Sequence, residues 1–492
     1  MITLKQNNGR IIDPAREIGC IGKYDVLVAG GGMAGVGAAI SAARLGCKTM
    51  LIERETSLGG LATIGLVNIP LDFSCGIGKE MLSRLDQVEG HWHRNSDPEK
   101  HKLILDRMIS EAGVDLLLHS YAVDSIVSGG LIKGVVVENK SGRQAIMADR
   151  VIDCSGDGDA AFFAGCECHT GRPSDGMNQA CSLEFRLGGV DWDIYLESDL
   201  KKNDPRWIKL IEKAVADGDM PYMIENHLNW VTHLPGRPQH RKMDELSLCF
   251  AHSRNCRPLD GRDLTRMYLE GREQADILWR FIKKRVLGFE NCYLIDTATL
   301  LGVRESRRII GEYIMQAKDI AQWRRFDDVI TISGHGYDLH NPDGPGNIKW
   351  AEMEIDGKKC YAICHTGFGS SWLPPGGIEA LTDGFGRKGK DMKFPDLPNY
   401  DIPYRSLVPL KVDNLLVAGR CLSADFMAQS GCRLVLACMN MGQAAGTAAA
   451  LSLREQITPR KLDRIALQKQ LLHDGMDIGQ KQRQIPGINP GH

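Results

Sequence analysis

The fold of this chain is decided by the stretch Tyr24-Asp25-Val26-Leu27-Val28-Ala29-Gly30-Gly31-Gly32-Met33-Ala34-Gly35. Its first six residues predict a buried β-strand that ends in a Gly-x-Gly-x-x-Gly turn. An alanine-rich helix is expected over residues 34–45, and a second strand over residues 48–52 ends in Glu53. Strand, glycine turn, helix, strand and terminal acid in this order predict a βαβ unit that binds a dinucleotide.

The glycines of the turn have separate steric roles in such a unit. Gly30 permits the tight turn, Gly32 lets the backbone approach a pyrophosphate, and Gly35 lets helix and strand pack closely. The helix N-terminus, where Met33 and Ala34 lie, offers free N–H groups and a positive dipole end to the phosphates. We therefore expect the pyrophosphate of the cofactor at this turn.

The residues after the second strand favour FAD over a nicotinamide cofactor. Glu53 lies 23 residues after Gly30, where a carboxylate accepts hydrogen bonds from a ribose 2′-hydroxyl and repels the 2′-phosphate of NADP. The glycine pair Gly59-Gly60 follows shortly after, and it suits a chain that runs close along an extended FAD. FAD is the cofactor that the sequence predicts.

Length and composition indicate a globular protein with more than one domain. The 492 residues exceed the size at which one core keeps growing, and 43% of them are hydrophobic. A net charge of −2 favours neither nucleic acid nor an anionic membrane as a partner. The uncharged residues 434–453 contain polar and small side chains, which predict an interior helix instead of a membrane span.

Cysteine usage and the N-terminal residues bear on the compartment and on metal binding. The 15 cysteines are scattered, and none of their spacings matches a zinc site, so we expect no metal. No apolar signal segment opens the chain, and buried reduced thiols suit a cytoplasmic protein. The sequence leaves the oligomeric state open and is compatible with a homo-oligomer.

The pattern of elements predicts an α/β fold, a Rossmann-like FAD-binding domain interrupted by an inserted α+β substrate domain. Its parallel sheet is accompanied by a three-stranded β-meander over residues 122–127, 131–138 and 144–148, and residues 150–154 and 414–420 return to the sheet. The predicted domains are 20–160 with 405–455 for FAD, 161–404 for substrate, and a tail, 456–492, with a short helix at 462–473.

Seven further segments match a known family together with the glycine turn: residues 53–54, 59–67, 151–159, 301–309, 402–409, 414–421 and 441–446. Together with the turn, they make the chain resemble the bacterial FAD-dependent oxidoreductases related to the glutathione reductase and fumarate reductase flavoprotein folds. The resemblance extends over residues 24–453 and implies FAD and the flavoprotein fold. It carries little information about the substrate.

The resemblance also implies individual FAD contacts. Gly30, Gly32 and Gly35 would take the pyrophosphate, and Glu53, followed by Arg54, the adenosine ribose. The remaining contacts that it implies are Gly59, Gly60, Ala62 and Thr63 along the pyrophosphate and ribityl chain, Ala122 and Val123 at the adenine, Ser155 and Gly156 at the adenosine, and Gly419 and Arg420 at the ribityl region. Because relatives in the broader superfamily often have an acid at position 420, its arginine is open to a different role, pairing with the pyrophosphate.

The start of the last long helix is the predicted flavin-facing element. Arg433, Leu434 and Val435 lie there, and a helix N-terminus near the pyrimidine ring would stabilise the anion of reduced flavin. An arginine at that end opposes the helix dipole unless a nearby anion offsets it. Arg433 is therefore either a flavin contact or an ordinary surface residue.

Three residues are candidates for catalysis. His335 and His340, in a loop rich in His, Asp and Gly, have the pKa range of a base for alcohol or amine oxidation, although such loops also serve as plain turns. Arg304 lies four residues before Arg308 and shares a helix face with it if the segment is helical. It would contact an anionic substrate or take part in ion pairs that lock the two domains.

The expected function is oxidation or reduction of a small organic substrate by hydride or electron transfer with FAD. The sequence has no second strand–Gly-x-Gly-x-x-Gly–helix unit for NAD(P)H, so the electron donor or acceptor is unknown. A flavin hydroxylase or halogenase and a non-catalytic electron-transfer flavoprotein subunit remain alternatives. FAD-dependent tRNA modification is disfavoured by the net charge.

Overall fold

A computed structural model of the chain describes residues 6–7, 10–11, 15–235, 244–346, 350–355, 358–363, 399–481 and 483–488. Its helices are α1 Met33–Arg44, α2 Gly76–Gln87, α3 Pro98–Glu111, α4 Asp159–Phe163, α5 Trp192–Glu197, α6 Asp199–Asn203, α7 Ile208–Ala216, α8 Gly261–Arg285, α9 Ala317–Ala321, α10 Phe426–Cys432, α11 Val435–Arg454 and α12 Arg464–His473. Its strands are β1 Gln6–Asn7, β2 Arg10–Ile11, β3 Gly19–Ala29, β4 Thr49–Ile52, β5 His91–Trp92, β6 Asn95–Ser96, β7 Asp115–Leu117, β8 Tyr121–Ser128, β9 Leu131–Asn139, β10 Gly142–Asp153, β11 Cys168–His169, β12 Cys181–Ser182, β13 Phe185–Val190, β14 Trp230–His233, β15 Asp244–Cys249, β16 His252–Ser253, β17 Tyr293–Thr297, β18 Arg308–Ile309, β19 Val329–Ser333, β20 Trp350–Ile355, β21 Lys358–Ile363, β22 Tyr400–Pro403 and β23 Leu415–Val417.

The largest sheet has seven strands in the order β7-β4-β3-β10-β9-β8, with β23 also paired to β10. The pairs β7–β4, β4–β3, β3–β10 and β10–β23 are parallel, whereas β10–β9 and β9–β8 are antiparallel. This is a Rossmann-like parallel sheet with a meander, and the predicted α/β fold class is confirmed. The C-terminal strand β23 returns to the sheet beside β10, as the sequence predicted.

One element of the meander differs from its prediction. The sequence indicated two strands, 144–148 and 150–154, whereas the structure has the single strand β10. Its first half pairs with β9 and its last residues pair with β23. The polar break at Arg150 does not end the strand, because the buried guanidinium donates to Ser452 Oγ at 2.9 Å and to the carbonyl of Ile457.

Helices α1 and α11 lie against each other on this sheet. A Cβ atom at Gly442 would overlap the carbonyl oxygen of Ala34, and one at Gly446 would overlap that of Ala38. The two backbones therefore approach closely, and almost every residue of α11 is buried, as predicted for an interior helix. Within the described residues no single helix is long and apolar enough to cross a membrane, and only the pair α10 and α11, bent by 92°, reaches that length together.

A second sheet of four antiparallel strands, in the order β14-β15-β13-β17, falls within the predicted inserted domain. Its core contains the buried rings of Tyr195, Trp207 and Phe289, which meet edge to face. Tyr337 and Ile402, from the same predicted range, pack instead in the core around α1 and α11. The predicted range 161–404 thus contributes to two cores, and the domain boundaries stay a prediction.

Candidate functional site

One cavity, of about 380 Å³, is lined by residues of both the glycine turn and the second sheet. The predicted FAD contacts that line it are Gly30, Gly32, Met33, Ala34, Glu53, Arg54, Gly59, Gly60, Ala62, Ser155, Gly156, Gly419, Arg420, Arg433, Leu434 and Val435. The predicted catalytic residues Arg304, His335 and His340 line the same cavity. Segments more than 400 residues apart in sequence therefore meet around a single space.

The glycine turn forms a cradle of backbone atoms. Gly30 has a φ of 103°, and a Cβ on it would lie 2.5 Å from the carbonyl oxygen of Cys154. A Cβ on Gly35 would overlap the carbonyl oxygen of Gly30, whereas a Cβ on Gly32 would have nothing within 4 Å. No side chain caps the N-terminus of α1 at Gly32. The turn thus leaves room and a helix N-terminus for a phosphate group, which is the fit that FAD requires.

Glu53 is held at the end of β4 by two backbone donors. The N–H of Gly31 donates to its Oε2 at 2.5 Å, and the N–H of Glu55 donates to its Oε1 at 2.8 Å. Burial raises the pKa of Glu53, and these two hydrogen bonds and Arg54 act in the opposite direction. Each carboxylate oxygen keeps a further lone pair, so the group can still accept hydrogen bonds from a ribose.

Four of the predicted FAD contacts do not line the cavity. Gly35 lies inside the contact between α1 and the turn, where it serves packing. The hydroxyl of Thr63 donates to the carbonyl of Leu58 at 2.6 Å, which holds the short turn through Gly60. Ala122 and Val123 lie on β8, outside the cavity lining. Their predicted adenine contacts stay a prediction.

The Arg420 side chain forms hydrogen bonds with other side chains of the protein. Its Nη2 donates to Asp157 Oδ1 at 2.8 Å and its Nη1 to Ser306 Oγ at 3.1 Å. Burial raises the pKa of Asp157, but Arg420 and Arg54 outweigh it and hold the pKa below its ordinary value. The structure therefore pairs this arginine with a carboxylate, although it still borders the cavity where the sequence placed a pyrophosphate or ribityl contact.

The N-terminus of α11 faces the cavity, as predicted. Leu434 caps the helix, and Val435 and Cys438 of its first turn line the cavity with Arg433. The Nη2 of Arg433 donates to the carbonyl of Asp338 at 2.9 Å and to its carboxylate at 2.8 Å. Asp338 supplies the negative charge that the arginine needs beside a positive helix end.

Arg304 is buried in a different environment from its neighbouring arginines. Its Nη1 donates to the carbonyl of Ala180 at 2.8 Å, and its Nη2 lies 3.6 Å from Cys249 Sγ and 3.3 Å from His252 Nε2. Among the described residues Arg304 forms no ion pair with a carboxylate, whereas Arg307 pairs with Asp159 at 2.8 Å. The chain here is not helical, so the condition for a helix face shared by Arg304 and Arg308 is not met, and Arg308 pairs with Glu305.

Both predicted histidines lie in an anchored loop. His340 is buried, its ring stacks on His252 with centroids 5.4 Å apart, and its Nε2 lies 3.4 Å from Asp338 Oδ1. The Nδ1 of His335 lies 2.8 Å from the carbonyl oxygen of Gly336. The loop is fixed by Asp72, which accepts hydrogen bonds from the Ser333 hydroxyl at 2.5 Å and from the N–H of Gly334.

Comparison with known proteins identifies the family to which the chain belongs. Residues 25–471 match the family described as FAD dependent oxidoreductase. The chain belongs to this family. It is an enzyme and FAD is its cofactor, so the resemblance and the cofactor predicted from the sequence are confirmed.

Individual relatives of this FAD dependent oxidoreductase are distant. Digeranylgeranylglycerophospholipid reductase 2 of Methanothermobacter thermautotrophicus is 33% identical over 35% of the chain and 48% of its own length. The chain thus spans about half the length of the curated relatives it matches. A geranylgeranyl bacteriochlorophyll reductase-like protein of Thermoplasma acidophilum is 14% identical, with a TM-score of 0.43 over 92% of the chain and 82% of its own. A flavin-dependent brominase triple mutant has a TM-score of 0.39 and 14% identity over 92% and 84%.

Sequence reasoning missed a buried acid in the wall of this FAD dependent oxidoreductase's cavity. Glu184 lies between β12 and β13 with 1% of its surface exposed. The hydroxyl of Ser182 donates to its Oε1 at 3.0 Å, while its Oε2 has no hydrogen-bond partner within the described residues. Burial raises the pKa of Glu184 to about 7, against the influence of Cys249 and Arg304. An acid flanked by the apolar residues Leu183 and Phe185 was the available signal.

Proposed function

We propose that this oxidoreductase transfers a hydride between FAD and a small organic substrate bound at the Arg304 end of the cavity. The observation that carries the proposal is the shared space, because the cradle for FAD and the polar wall of Arg304, His335 and His340 border one cavity. A substrate at that wall lies next to the cofactor without a further binding site.

The residues around the cavity support places for the pyrophosphate, the adenosine ribose and the ring system of FAD. The cradle at Gly32 would hold the pyrophosphate and Glu53 the ribose, and the first turn of α11 would face the ring system. When bound, FAD would supply the redox chemistry, which is accepting or donating the hydride. The positive end of α11 and the guanidinium of Arg433 would stabilise negative charge that develops beside them.

The opposite wall supplies binding and proton chemistry. Arg304 presents a fixed positive charge, because Ala180, Cys249 and His252 hold its guanidinium in place. His335 and His340 place imidazole rings on the same wall, where a substrate proton has to be exchanged. Leu301 and Val303 give the wall an apolar part that excludes water from the reacting groups.

The electron partner would have to reach the flavin through this cavity. In the part of the chain that the structure describes, every sheet other than the seven-stranded one is antiparallel. None of them offers the parallel βαβ unit that binds NAD(P)H in enzymes with a dedicated domain. This supports an external electron donor or acceptor that uses the same opening as the substrate.

The test is anaerobic bleaching of the bound flavin by a panel of sugars, hydroxy acids and amines, followed by re-oxidation with air, quinone or an enoate. We expect at least one donor to bleach the flavin. Arg304→Gln should keep FAD but slow bleaching by at least about tenfold, because the substrate loses one contact with a charged group. The matched control is Arg280→Gln, because Arg280 is exposed on α8. Bleaching by NADPH alone, with re-oxidation that consumes oxygen, would replace the proposal with a hydroxylase or halogenase. A flavin that no donor reduces would favour the electron-transfer subunit.

A further inference from the structure

We propose that Glu184 is the residue that exchanges a proton with the substrate, and that the substrate is an alcohol or the carbonyl compound formed from it. The proposal rests on the proposed function, because it assigns a role at the same wall of the cavity. It differs from the sequence-based choice of a loop histidine.

The first argument is the unpaired oxygen of a buried carboxyl group. Glu184 Oε1 accepts the Ser182 hydroxyl, and the Cys249 thiol beside the carboxyl group is a weak donor to it. Oε2 is buried without a partner at normal hydrogen-bond geometry in the described part of the chain. A buried acceptor without a partner costs free energy, and such groups in native proteins generally have a ligand or catalytic role. Because Glu184 lines the cavity, a hydroxyl or carbonyl group of a bound molecule would have room to become this partner.

The second argument is rigidity. The backbone carbonyl of Glu184 accepts a hydrogen bond from the N–H of Ala298 at 2.8 Å, and Phe185 after it pairs with Thr297 and Leu248. The carboxyl group is therefore presented from the end of a sheet strand instead of a loop. A proton-transfer group needs this fixed position relative to the reacting atom.

The third argument is the set of polar and charged groups that face Glu184. Cys249 and Arg304 are its immediate neighbours, and both favour its ionised form while burial favours the neutral one. Behind Arg304 lies His252, whose Nδ1 is 3.4 Å from Glu225, and Glu225 is itself bonded to Arg254 at 3.0 Å. His340 stacks on His252, and Asp338 is engaged by Arg433.

These opposing influences leave the pKa of Glu184 at about 7, so both protonation states are populated near neutral pH. In the oxidative direction the O–H proton of the alcohol passes to the Glu184 carboxylate as the C=O bond forms. FAD, when bound, would accept the C–H bonding pair as a hydride, and the neutral Glu184 carboxyl group would then release its proton to solvent. In the reductive direction the neutral carboxyl group would donate its proton to the carbonyl oxygen, while reduced FAD would supply the hydride to the carbonyl carbon.

The first experiment needs no substrate. FAD-loaded protein is titrated from about pH 5 to about pH 9, and the visible absorbance of the flavin reports charge in the cavity. We expect a one-proton transition with a midpoint near pH 7 that is absent in Glu184→Gln and kept in Glu197→Gln, which changes an exposed residue of α5. A transition that survives in Glu184→Gln, or its absence from the wild type, would overturn the proposal.

The second experiment uses the donor that bleaches the flavin. Bleaching by wild-type protein should accelerate as pH rises through about 7, when Glu184 ionises. Glu184→Gln should keep FAD, lose this pH dependence and bleach about 10²- to 10⁴-fold more slowly, with partial recovery in Glu184→Asp. If His340→Ala removes the pH dependence and Glu184→Gln does not, the proton acceptor is the histidine. A panel without any donor contradicts the proposed function alone, since the titration does not depend on it.

Discussion

The two ends of the cavity differ in the atoms that form their walls. At the turn end the walls are largely backbone, and the decisive property of Gly30, Gly32 and Gly35 is the absence of a Cβ atom. At the opposite end the walls are side chains such as Glu184 and Arg304, which come from separate strands and loops. A site made of backbone is encoded in a contiguous motif, whereas a site made of side chains exists only after the chain has folded.

The largest effect is expected at the turn end, from Gly35→Ala. The added Cβ would overlap the carbonyl oxygen of Gly30, which belongs to the backbone and cannot move aside cheaply. We expect a loss of at least about 3 kcal/mol of unfolding free energy together with loss of bound FAD. Urea unfolding and flavin absorbance measure both. Gly19→Ala, where a Cβ meets nothing within 4 Å, is the control, and equal behaviour of the two variants would contradict the cradle.

Gly32→Val should separate cofactor binding from folding. A Cβ at Gly32 meets no protein atom within 4 Å, so the side chain would occupy the space assigned to the pyrophosphate. We expect FAD affinity to fall by at least about 100-fold, while the free energy of unfolding changes by less than about 1 kcal/mol. Fluorescence titration of the apoprotein with FAD gives the first quantity and urea unfolding the second. Yellow protein purified from this variant would place the pyrophosphate elsewhere.

At the side-chain end, Glu184→Gln should stabilise the protein in a pH-dependent manner. Burial raises the native pKa of Glu184 from its ordinary 4.5 to about 7, so the native state keeps a proton that the unfolded chain releases in this window. Wild-type stability therefore falls as pH rises from 4.5 through 7, by up to about 3 kcal/mol. Glu184→Gln has no carboxyl group to titrate, so its free energy of unfolding does not fall in this way. The difference in unfolding free energy between Glu184→Gln and the wild type should therefore grow by up to about 3 kcal/mol between about pH 4.5 and pH 8.

Urea unfolding of FAD-loaded protein at several pH values measures this difference. Glu197→Gln, exposed on α5, is the matched control and should follow the wild type within about 0.5 kcal/mol at every pH. A constant offset between Glu184→Gln and wild type would mean that Glu184 titrates normally. In that case packing around Glu184, and not its protonation, would determine how this end of the cavity affects the free energy of unfolding.

The same contrast explains what the sequence could predict. The roles of Gly30 and Gly32, the acid at Glu53 and the helix start at Val435 depend on neighbours within one βαβ unit or one helix. Local spacing and burial patterns are enough to locate them. The α/β class followed from the order of these elements, and it is confirmed.

Sequence reasoning missed, or could not pair, the residues whose contacts come from distant parts of the chain. Arg420 is paired with Asp157, 263 positions away, and no local pattern shows that pairing. Glu184 has no motif around it, and burial raises its pKa although Cys249 and Arg304, from distant parts of the chain, act to lower it. Arg150 interrupts the apolar pattern of β10, and its guanidinium is accommodated there by Ser452 and Ile457, about 300 positions away.

The contact between α1 and α11 has a consequence for synthesis of the protein. The cavity needs Gly30 and its neighbours from one end of the sequence, and Arg433 with the first turn of α11 from the other. At roughly 5–20 residues per second a ribosome makes the second group roughly 20–80 s after the first. Until then the nascent chain lacks the wall of the cavity that Arg433 and the first turn of α11 supply, so we expect tight flavin binding only after α11 has been made.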